Sequence, residues 1–369
     1  MNRIAIINGV VHSGQDTLQG KAILVENDRI HSLADSTQLP AGFEVFDAEG
    51  YHISPGFIDL QIYGGGGVLF AEKPMPESLQ TMANALACSG TTGFLLTLAT
   101  NTRKIFEQAI EVSKQFSHPA FMGLHFEGPY LHPDKKGAHP TSCLRIPTIK
   151  ELKELLDLAS GTLKMMTIAP ELFDAEMIKT LTNQGVLLSA GHSNASFDES
   201  SRGFRQGIRA VTHLFNAMSP LHHRQTGLPG ATFLAEDVHA SIIADGIHVS
   251  FEALKLSKKI LGERLFLITD AVEESRGGVY QHQLKGDHYT LPDGTLSGSA
   301  MTQMQGVANC VKHAGIPMDE ALRMASLYPA RLIGAHDQGS LEPGKRANIN
   351  VFDHEFKIRQ VFLEGKKLL

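Results

Sequence analysis

The sequence predicts an α/β chain: a (β/α)8, TIM-like barrel carrying a small β-sandwich domain built from both chain termini. Short apolar runs alternate with amphipathic stretches from residue 53 to 339. Eight such runs fall within about 280 residues, a usual span for an eightfold barrel. The two ends, residues 1–52 and 340–369, differ in texture, with β-formers around Gly and Asn-Asp turns and no helical period.

In chain order, IAIINGVVHS and KAILVENDRIHSLA read as strands joined by turns. The C-terminal ANINVFDHEFKIRQVFLEGKKLL has the same make-up, so the ends are expected to pair into one antiparallel unit. The middle opens on HISPGFIDL as first barrel strand. TGFLLTL (92–98), FMGLHFE, LKMMTIA (163–169), VLLSA, AVTHL, HASIIAD (239–245) and LFLITD follow. Between them PESLQTMANALACSG, RKIFEQAIEVSKQF, IKELKELLDLAS, AEMIKTLTNQG, DESSRGFRQG and SFEALKLSKKILG read as helices, several starting after Thr, Asp or Ser and stopping at Gly. A doubly wound open sheet is the alternative. It would carry a Gly-rich phosphate-binding fingerprint after its first strand, and the GGGG at 64–67 lacks that spacing.

At 369 residues and 42% hydrophobic the chain can bury a sizeable core. A net charge of −6 argues against a general nucleic-acid surface, which needs a basic stripe. It leaves room for a small anion held by one or two placed cations. Cys88, Cys143 and Cys310 are odd in number and far apart, so neither a disulfide framework nor a cysteine-rich zinc module is expected. MNRIAIINGVVHSG lacks the apolar core of a signal peptide, and no apolar stretch approaches the ~18 residues of a membrane span. The expected location is cytoplasmic, with no nucleic-acid or membrane partner.

Four polar residues close apolar runs: Glu127 ends FMGLHFE, His192 follows VLLSAG, His213 ends AVTH and Asp270 ends LFLITD. In a barrel these positions lie on one rim, at the C-terminal ends of strands 3, 5, 6 and 8, where active sites sit. Singly, a strand-end His is a hydrogen-bonded structural group and a strand-end acid caps a helix. Together they suggest a metal with an open fourth position for water, and an acid to move protons. Asp270 is the natural general base, and then the acid for the leaving group.

PGFIDLQIYGGGG, LHFEGPYL followed by KKGAHP, SAGHSNA, THLFNAMSPLHHR, IIADGIHV, ITDA and LSGSAMT, in this order, resemble the motif series of the N-acetylglucosamine-6-phosphate deacetylases of the amidohydrolase superfamily. The resemblance runs from about residue 50 to 353. It implies hydrolysis of the N-acetyl amide of N-acetylglucosamine 6-phosphate to glucosamine 6-phosphate and acetate. Many amidohydrolases carry His-x-His after PGFID and bind two metals; here Gln61 and Tyr63 stand there. The resemblance therefore implies one divalent ion per subunit, Zn²⁺ ahead of Fe²⁺, Co²⁺ or Mn²⁺, held by Glu127, His192 and His213. Gln61 is expected on the rim as a hydrogen-bonding residue, and Asp59 as a supporting or helix-capping group.

By the same resemblance, His139 polarises the acetyl carbonyl with Ala138 beside it. Asn216 and Ala217 hold the sugar phosphate, though NAMSP also has the character of a helix start. His248 and Arg224 clamp the phosphate, Arg224 reaching a neighbouring subunit's site and so implying a homodimer. Leu296, Ser297 and Gly298 close over the substrate. One departure stands out: the family commonly follows the arginine with Glu-Pro-Gly, where this chain has Gln225, Thr226 and Gly227. Two rival readings remain. One is an amidohydrolase for another N-acyl substrate, such as N-acetylgalactosamine 6-phosphate, an N-acyl amino acid or a cyclic amide. The other is a non-catalytic sugar-phosphate sensor.

Overall fold

The computed structural model describes residues 2–368. Eight parallel strands form one sheet in chain order: β1 (Phe57–Ile62), β2 (Thr91–Ala99), β3 (Phe121–Glu127), β4 (Leu163–Ile168), β5 (Leu187–Ala190), β6 (Ala210–Val211), β7 (His239–Ile242) and β8 (Leu265–Leu267). The register at the C-terminal rim sets Ala99 beside Glu127 and Glu127 beside Thr167. The ring closes just past β8. Asp270 N–H donates to Gln61 O at 3.0 Å and Tyr63 N–H to Ala271 O at 3.0 Å.

Asp59 clasps this seam. Its carboxylate accepts from Thr269 Oγ1 at 2.6 Å, Gln61 N at 3.2 Å and Thr269 N at 3.3 Å. Burial pushes its pKa up to about 7 against those hydrogen bonds. It caps no helix; it joins the first strand to the segment that carries Asp270.

The six expected helices form, as Pro76–Cys88, Arg103–Gln115, Ile149–Ala159, Ala175–Thr182, Phe197–Gln206 and Phe251–Leu261. Four of the six starts follow the capping logic: Thr148, Asp174 and Ser250 each accept a backbone N–H of the first turn, and Ser196 forms a capping box with Glu199. Four further helices, Gly227–Leu234, Gln303–Lys312, Met318–Ala325 and Leu327–Leu332, were not expected. GLPGATFL carries a proline and two glycines, poor helix formers, and is helical because most of it is buried.

Leu60, Leu96, Leu124, Met166, Leu188, Val211, Ile242 and Leu267 belong to one buried cluster with the inner faces of the helices. A second buried cluster joins Ile4, Ile6, Ile23 and Val25 of a four-stranded sheet to Val11, Ile53, Ile349, Val351 and Phe362 of a six-stranded one. Both chain ends therefore contribute to one shared core.

Two expectations are corrected. The terminal sheets are mixed rather than antiparallel, because Arg3–Ile7 runs parallel to Glu44–Asp47 and Val10–His12 parallel to His52–Pro55. HISPGFIDL is two strands, not one: His52–Pro55 pairs with Ile349–Phe352 in the small sheet, and β1 begins at Phe57. The break is Gly56, where a Cβ would lie 2.0 Å from Thr92 Oγ1, so only glycine lets the chain pass from one unit into the other.

Candidate active site

The rim residues are turned into the barrel mouth by backbone that leaves the strand conformation. His192, His213 and Asp270 have φ of 47°, 34° and 55°, a left-handed region that costs a non-glycine residue about 1–3 kcal/mol. Gly191, just ahead of His192, lets the chain run close to strands 4 and 6; a Cβ there would meet Thr167 and Thr212 at 2.8 Å. Such local cost persists only where surrounding contacts hold it, and here strand pairing and side-chain bonds do. His213 N–H donates to Ser241 Oγ at 2.8 Å, and His192 Nδ1 donates to Lys135 O at 2.8 Å. The second bond fixes the tautomer and leaves His192 Nε2 as a bare lone pair facing inward.

Three ligand-type atoms converge there. His192 Nε2 and His213 Nε2 are 3.0 Å apart, and they lie 3.3 and 3.1 Å from Glu127 Oε1. A tetrahedral ion with bonds of about 2.0–2.1 Å would have ligand–ligand edges near 3.3 Å, so the donor set fits a small divalent cation. Glu127 is 2% exposed. Burial alone would raise its carboxyl, but His192 and His139 beside it hold it well below the usual carboxylate range.

His139 occupies the other side of the same carboxylate, with Nε2 3.0 Å from Glu127 Oε2. Its Nδ1 accepts the Thr100 N–H at 3.3 Å, so the ring proton sits on Nε2. Burial, with His192 adding to it, lowers its pKa to about 4. It is therefore a neutral N–H donor at physiological pH. Glu127, His139 and His192 also bring ligand atoms within 4.8 Å of one another, so His139 and His213 are rivals for the third metal position. The geometry separates them: His213 and His192 share Oε1, whereas His139 takes the oxygen turned towards Tyr63.

Gln61 and Tyr63 bind the acids directly. Gln61 Nε2 lies 2.9 Å from Glu127 Oε1, 2.7 Å from Asp270 Oδ1 and 2.8 Å from Tyr63 Oη. Tyr63 donates its hydroxyl to Glu127 Oε2 at 2.6 Å, and burial next to Glu127 keeps that phenol protonated, well above its ordinary pKa. Gln61 is thus a hydrogen-bonding residue of the rim, 1% exposed, that ties the two acids together. Burial raises the Asp270 carboxyl, His213 pulls it down, and the Glu127 charge pushes it up again. The net shift is upward.

A cavity of about 380 Å³ opens over these residues. Glu127, Ala138, His139, His192, His213, Asn216, Ala217, His248, Asp270, Leu296, Ser297 and Gly298 all line it. Arg224 does not: it is exposed on its own chain, with Nη1 3.0 Å from His223 Nε2. Asn216 and Ala217 sit in a turn with Ala217 at φ 47°, and the expected helix start is absent; the nearest following helix opens at Gly227. His248 is anchored by Asp245 Oδ2, 2.5 Å from its Nδ1. Elsewhere a smaller recess lined by Phe106, Tyr130, Arg145 and Glu151 lies away from this cluster of acids and imidazoles.

The cavity also takes in Lys135 and residues that the sequence reading missed: Tyr280, His282 and an apolar wall of Leu69, Ala99 and Val272. Tyr280 and His282 lie in the irregular segment after Asp270, near a three-stranded sheet (Gln283–Lys285, His288–Thr290, Leu296–Ser299). No strand-end or spacing signal marks them. Tyr280 donates its hydroxyl to Thr100 O at 2.7 Å, next to the peptide that fixes the His139 tautomer.

The amidohydrolase family profile matches residues 52–368, and the NagA composite domain matches residues 4–53. The chain is 34% identical to the N-acetylglucosamine-6-phosphate deacetylase of Haemophilus influenzae, over 99% of each chain. It is 32% identical to the N-acetylgalactosamine-6-phosphate deacetylase of Escherichia coli O157:H7, over 89% of this chain and 90% of that one. Among solved structures it superposes on N-acetylglucosamine-6-phosphate deacetylase from Pasteurella multocida with a TM-score of 0.95 at 34% identity, covering 99% of both chains. An Asp-to-Ala variant of the Mycobacterium smegmatis enzyme, in complex with N-acetyl-D-glucosamine 6-phosphate, gives 0.94 at 28% identity, covering 100% of both.

Proposed function

Since the chain belongs to the amidohydrolase family, we propose that it hydrolyses the N-acetyl amide of N-acetyl-D-glucosamine 6-phosphate, releasing D-glucosamine 6-phosphate and acetate. The observation that carries this reading is the convergence of Glu127 Oε1, His192 Nε2 and His213 Nε2 within 3.0–3.3 Å, with Asp270 lining the same cavity. Full-length similarity to deacetylases of that name supports the substrate.

Glu127, His192 and His213 would hold one divalent ion, and the donor set suits Zn²⁺ while tolerating Fe²⁺, Co²⁺ or Mn²⁺. When bound, the ion supplies Lewis-acid activation of water and of the amide carbonyl. Asp270 takes a proton from the attacking water as its oxygen bonds to the carbonyl carbon. His139 donates its Nε2–H to the carbonyl oxygen as negative charge develops there. Asp270 then returns the proton to the amine nitrogen, the C–N bond breaks, and acetate and the amino sugar leave.

Gln61, bonded to both Glu127 and Asp270, holds the base in place against the ligand carboxylate. Asn216, Ala217 and His248 are assigned to the sugar phosphate, Ala138 to the substrate beside His139, and Leu296–Gly298 to covering the ring. Arg224, exposed on its own chain, is assigned to the phosphate in the cavity of a second copy, which makes the functional unit a homodimer.

A second reading has a specific support: relatives named N-acetylgalactosamine-6-phosphate deacetylase match at 32% identity. That sugar differs only in the configuration of one hydroxyl. The test is acetate release from N-acetylglucosamine with and without its 6-phosphate, and from the galacto epimer, together with metal analysis of the purified protein. Equal turnover of phosphorylated and unphosphorylated sugar would overturn the phosphate assignment. A metal-free protein that binds the sugar phosphate without turnover would revive the sensor reading. Among the described residues no helix is long and apolar enough to cross a membrane, and we assign the enzyme to the cytoplasm, where sugar phosphates are metabolised.

A further inference from the structure

His282 is 4% exposed and lines the cavity, yet no step above uses it. Its Nδ1 lies 2.9 Å from Ser297 Oγ. Its ring stacks on Tyr280, with centroids 5.6 Å apart and planes 13° from parallel. Tyr280 in turn packs edge-on against His139 at 6.2 Å. His282 Nε2 has no hydrogen-bond partner among the described residues. Ser297 holds one side of the ring, and Nε2 is left free to pair with water or with a ligand in the cavity that His282 lines.

The chemistry of that ligand follows from the ring. Burial lowers the His282 pKa to about 4, so it is neutral at physiological pH. A neutral imidazole offers one donor and one acceptor, and the Ser297 hydroxyl can complement either nitrogen role. Nε2 is left with whichever role remains. A sugar hydroxyl satisfies both possibilities, whereas a phosphate dianion only accepts and is better served by a cation. Position agrees: the His282–Tyr280–His139 stack places His282 on the side of the reacting amide. The hydroxyls flanking that amide-bearing carbon are those at C1 and C3.

Resting on the substrate proposed above, we infer that His282, steadied by Ser297 and Tyr280, is a specificity-determining residue whose Nε2 hydrogen-bonds a ring hydroxyl flanking the amide-bearing carbon. Both gluco and galacto sugars carry those hydroxyls in the same arrangement, so the contact selects for an intact 2-acylamino sugar without reading the C4 epimer.

The experiment is a cycle between residue and substrate. kcat/KM is measured for the metal-loaded wild type, His282→Ala and His282→Gln on N-acetylglucosamine 6-phosphate and on its 1-deoxy, 3-deoxy and 4-deoxy analogues. Wild type should lose about tenfold to a hundredfold on one flanking deoxy analogue. His282→Ala should lose a similar factor on the parent sugar and nothing further on that analogue. His282→Gln, which keeps a donor and an acceptor, should recover part of the loss. If His282→Ala does not fold, the same cycle is run on His282→Gln, which should show a reduced deoxy penalty. Deoxy penalties that are the same in wild type and variants for both flanking analogues overturn the inference, as does coupling confined to the 4-deoxy sugar. Failure of wild type to release acetate from the parent sugar would instead sink the substrate reading, so the two failures are distinguishable.

Discussion

Replacing His139 with Ala removes one N–H donor from the cavity and should leave metal binding intact. The donor is defined by geometry: Nδ1 accepts from Thr100 N–H, so the proton is on Nε2, 3.0 Å from Glu127 Oε2. Losing one preorganised donor to a developing oxyanion costs about 3–4 kcal/mol, or roughly 10²–10³ in kcat. The structural cost is smaller. The Thr100 bond is long at 3.3 Å, and Glu127 Oε2 keeps the Tyr63 hydroxyl at 2.6 Å. The lost contacts and the void together should destabilise by about 1–3 kcal/mol, leaving a folded enzyme. His213→Ala is the matched comparison, because it removes an atom that shares Glu127 Oε1 with His192. The assay pairs metal stoichiometry by mass spectrometry with steady-state acetate release. The expected result is near-full metal with a rate 10²–10³ lower for His139→Ala, and much reduced metal for His213→Ala. A His139→Ala protein purified without metal beside a fully loaded His213→Ala would refute the ligand assignment. A His139→Ala rate within a fewfold of wild type would refute the oxyanion role.

Asp270→Asn should abolish turnover, by about 10³-fold or more for a group that both takes and gives the proton, with metal content unchanged; retained activity would remove Asp270 from the mechanism. Acid should weaken the small domain. Burial, with His52 adding to it, lowers the 6%-exposed His12 from 6.5 to about 4, so between those pH values the unfolded chain binds the extra proton and stability falls as pH falls. The full loss is about 3 kcal/mol, present above pH 6.5 and gone near pH 4. His12→Gln should therefore flatten the dependence of melting temperature on pH, and an unchanged slope would count against this origin. Gly56→Ala would place a Cβ 2.0 Å from Thr92 Oγ1 at the passage between the two cores. It should cost about 1–3 kcal/mol, read as a lower melting temperature, and the double variant Gly56→Ala with Thr92→Ala should recover part of it. A Gly56→Ala chain as stable as wild type would show that the crossing is loose.

The barrel strands and six of the helices were legible because their information is local. Each strand is a short apolar run, five of the six expected helices follow a Thr, Asp or Ser, and strand order follows chain order. Glu127, His192, His213 and Asp270 could be found for the same reason: a charged or imidazole group at the end of a buried run is conspicuous in one dimension. The sequence by itself thus determined the barrel, the rim on which the site lies and the residue types that meet there. It did not determine how the ends of the chain pair, because parallel pairing of Arg3–Ile7 with Glu44–Asp47 depends on contacts about forty residues apart and leaves no local trace. Nor did it give the contacts of Gln61 and Tyr63, whose worth lies in distances to Glu127, two strands away, and to Asp270 across the closing seam. Which imidazole faces Oε1 and which faces Oε2 was decided only in three dimensions, as was the unpaired Nε2 of His282. Those features depend on side chains converging from elements far apart in sequence, and only the packed barrel brings them together.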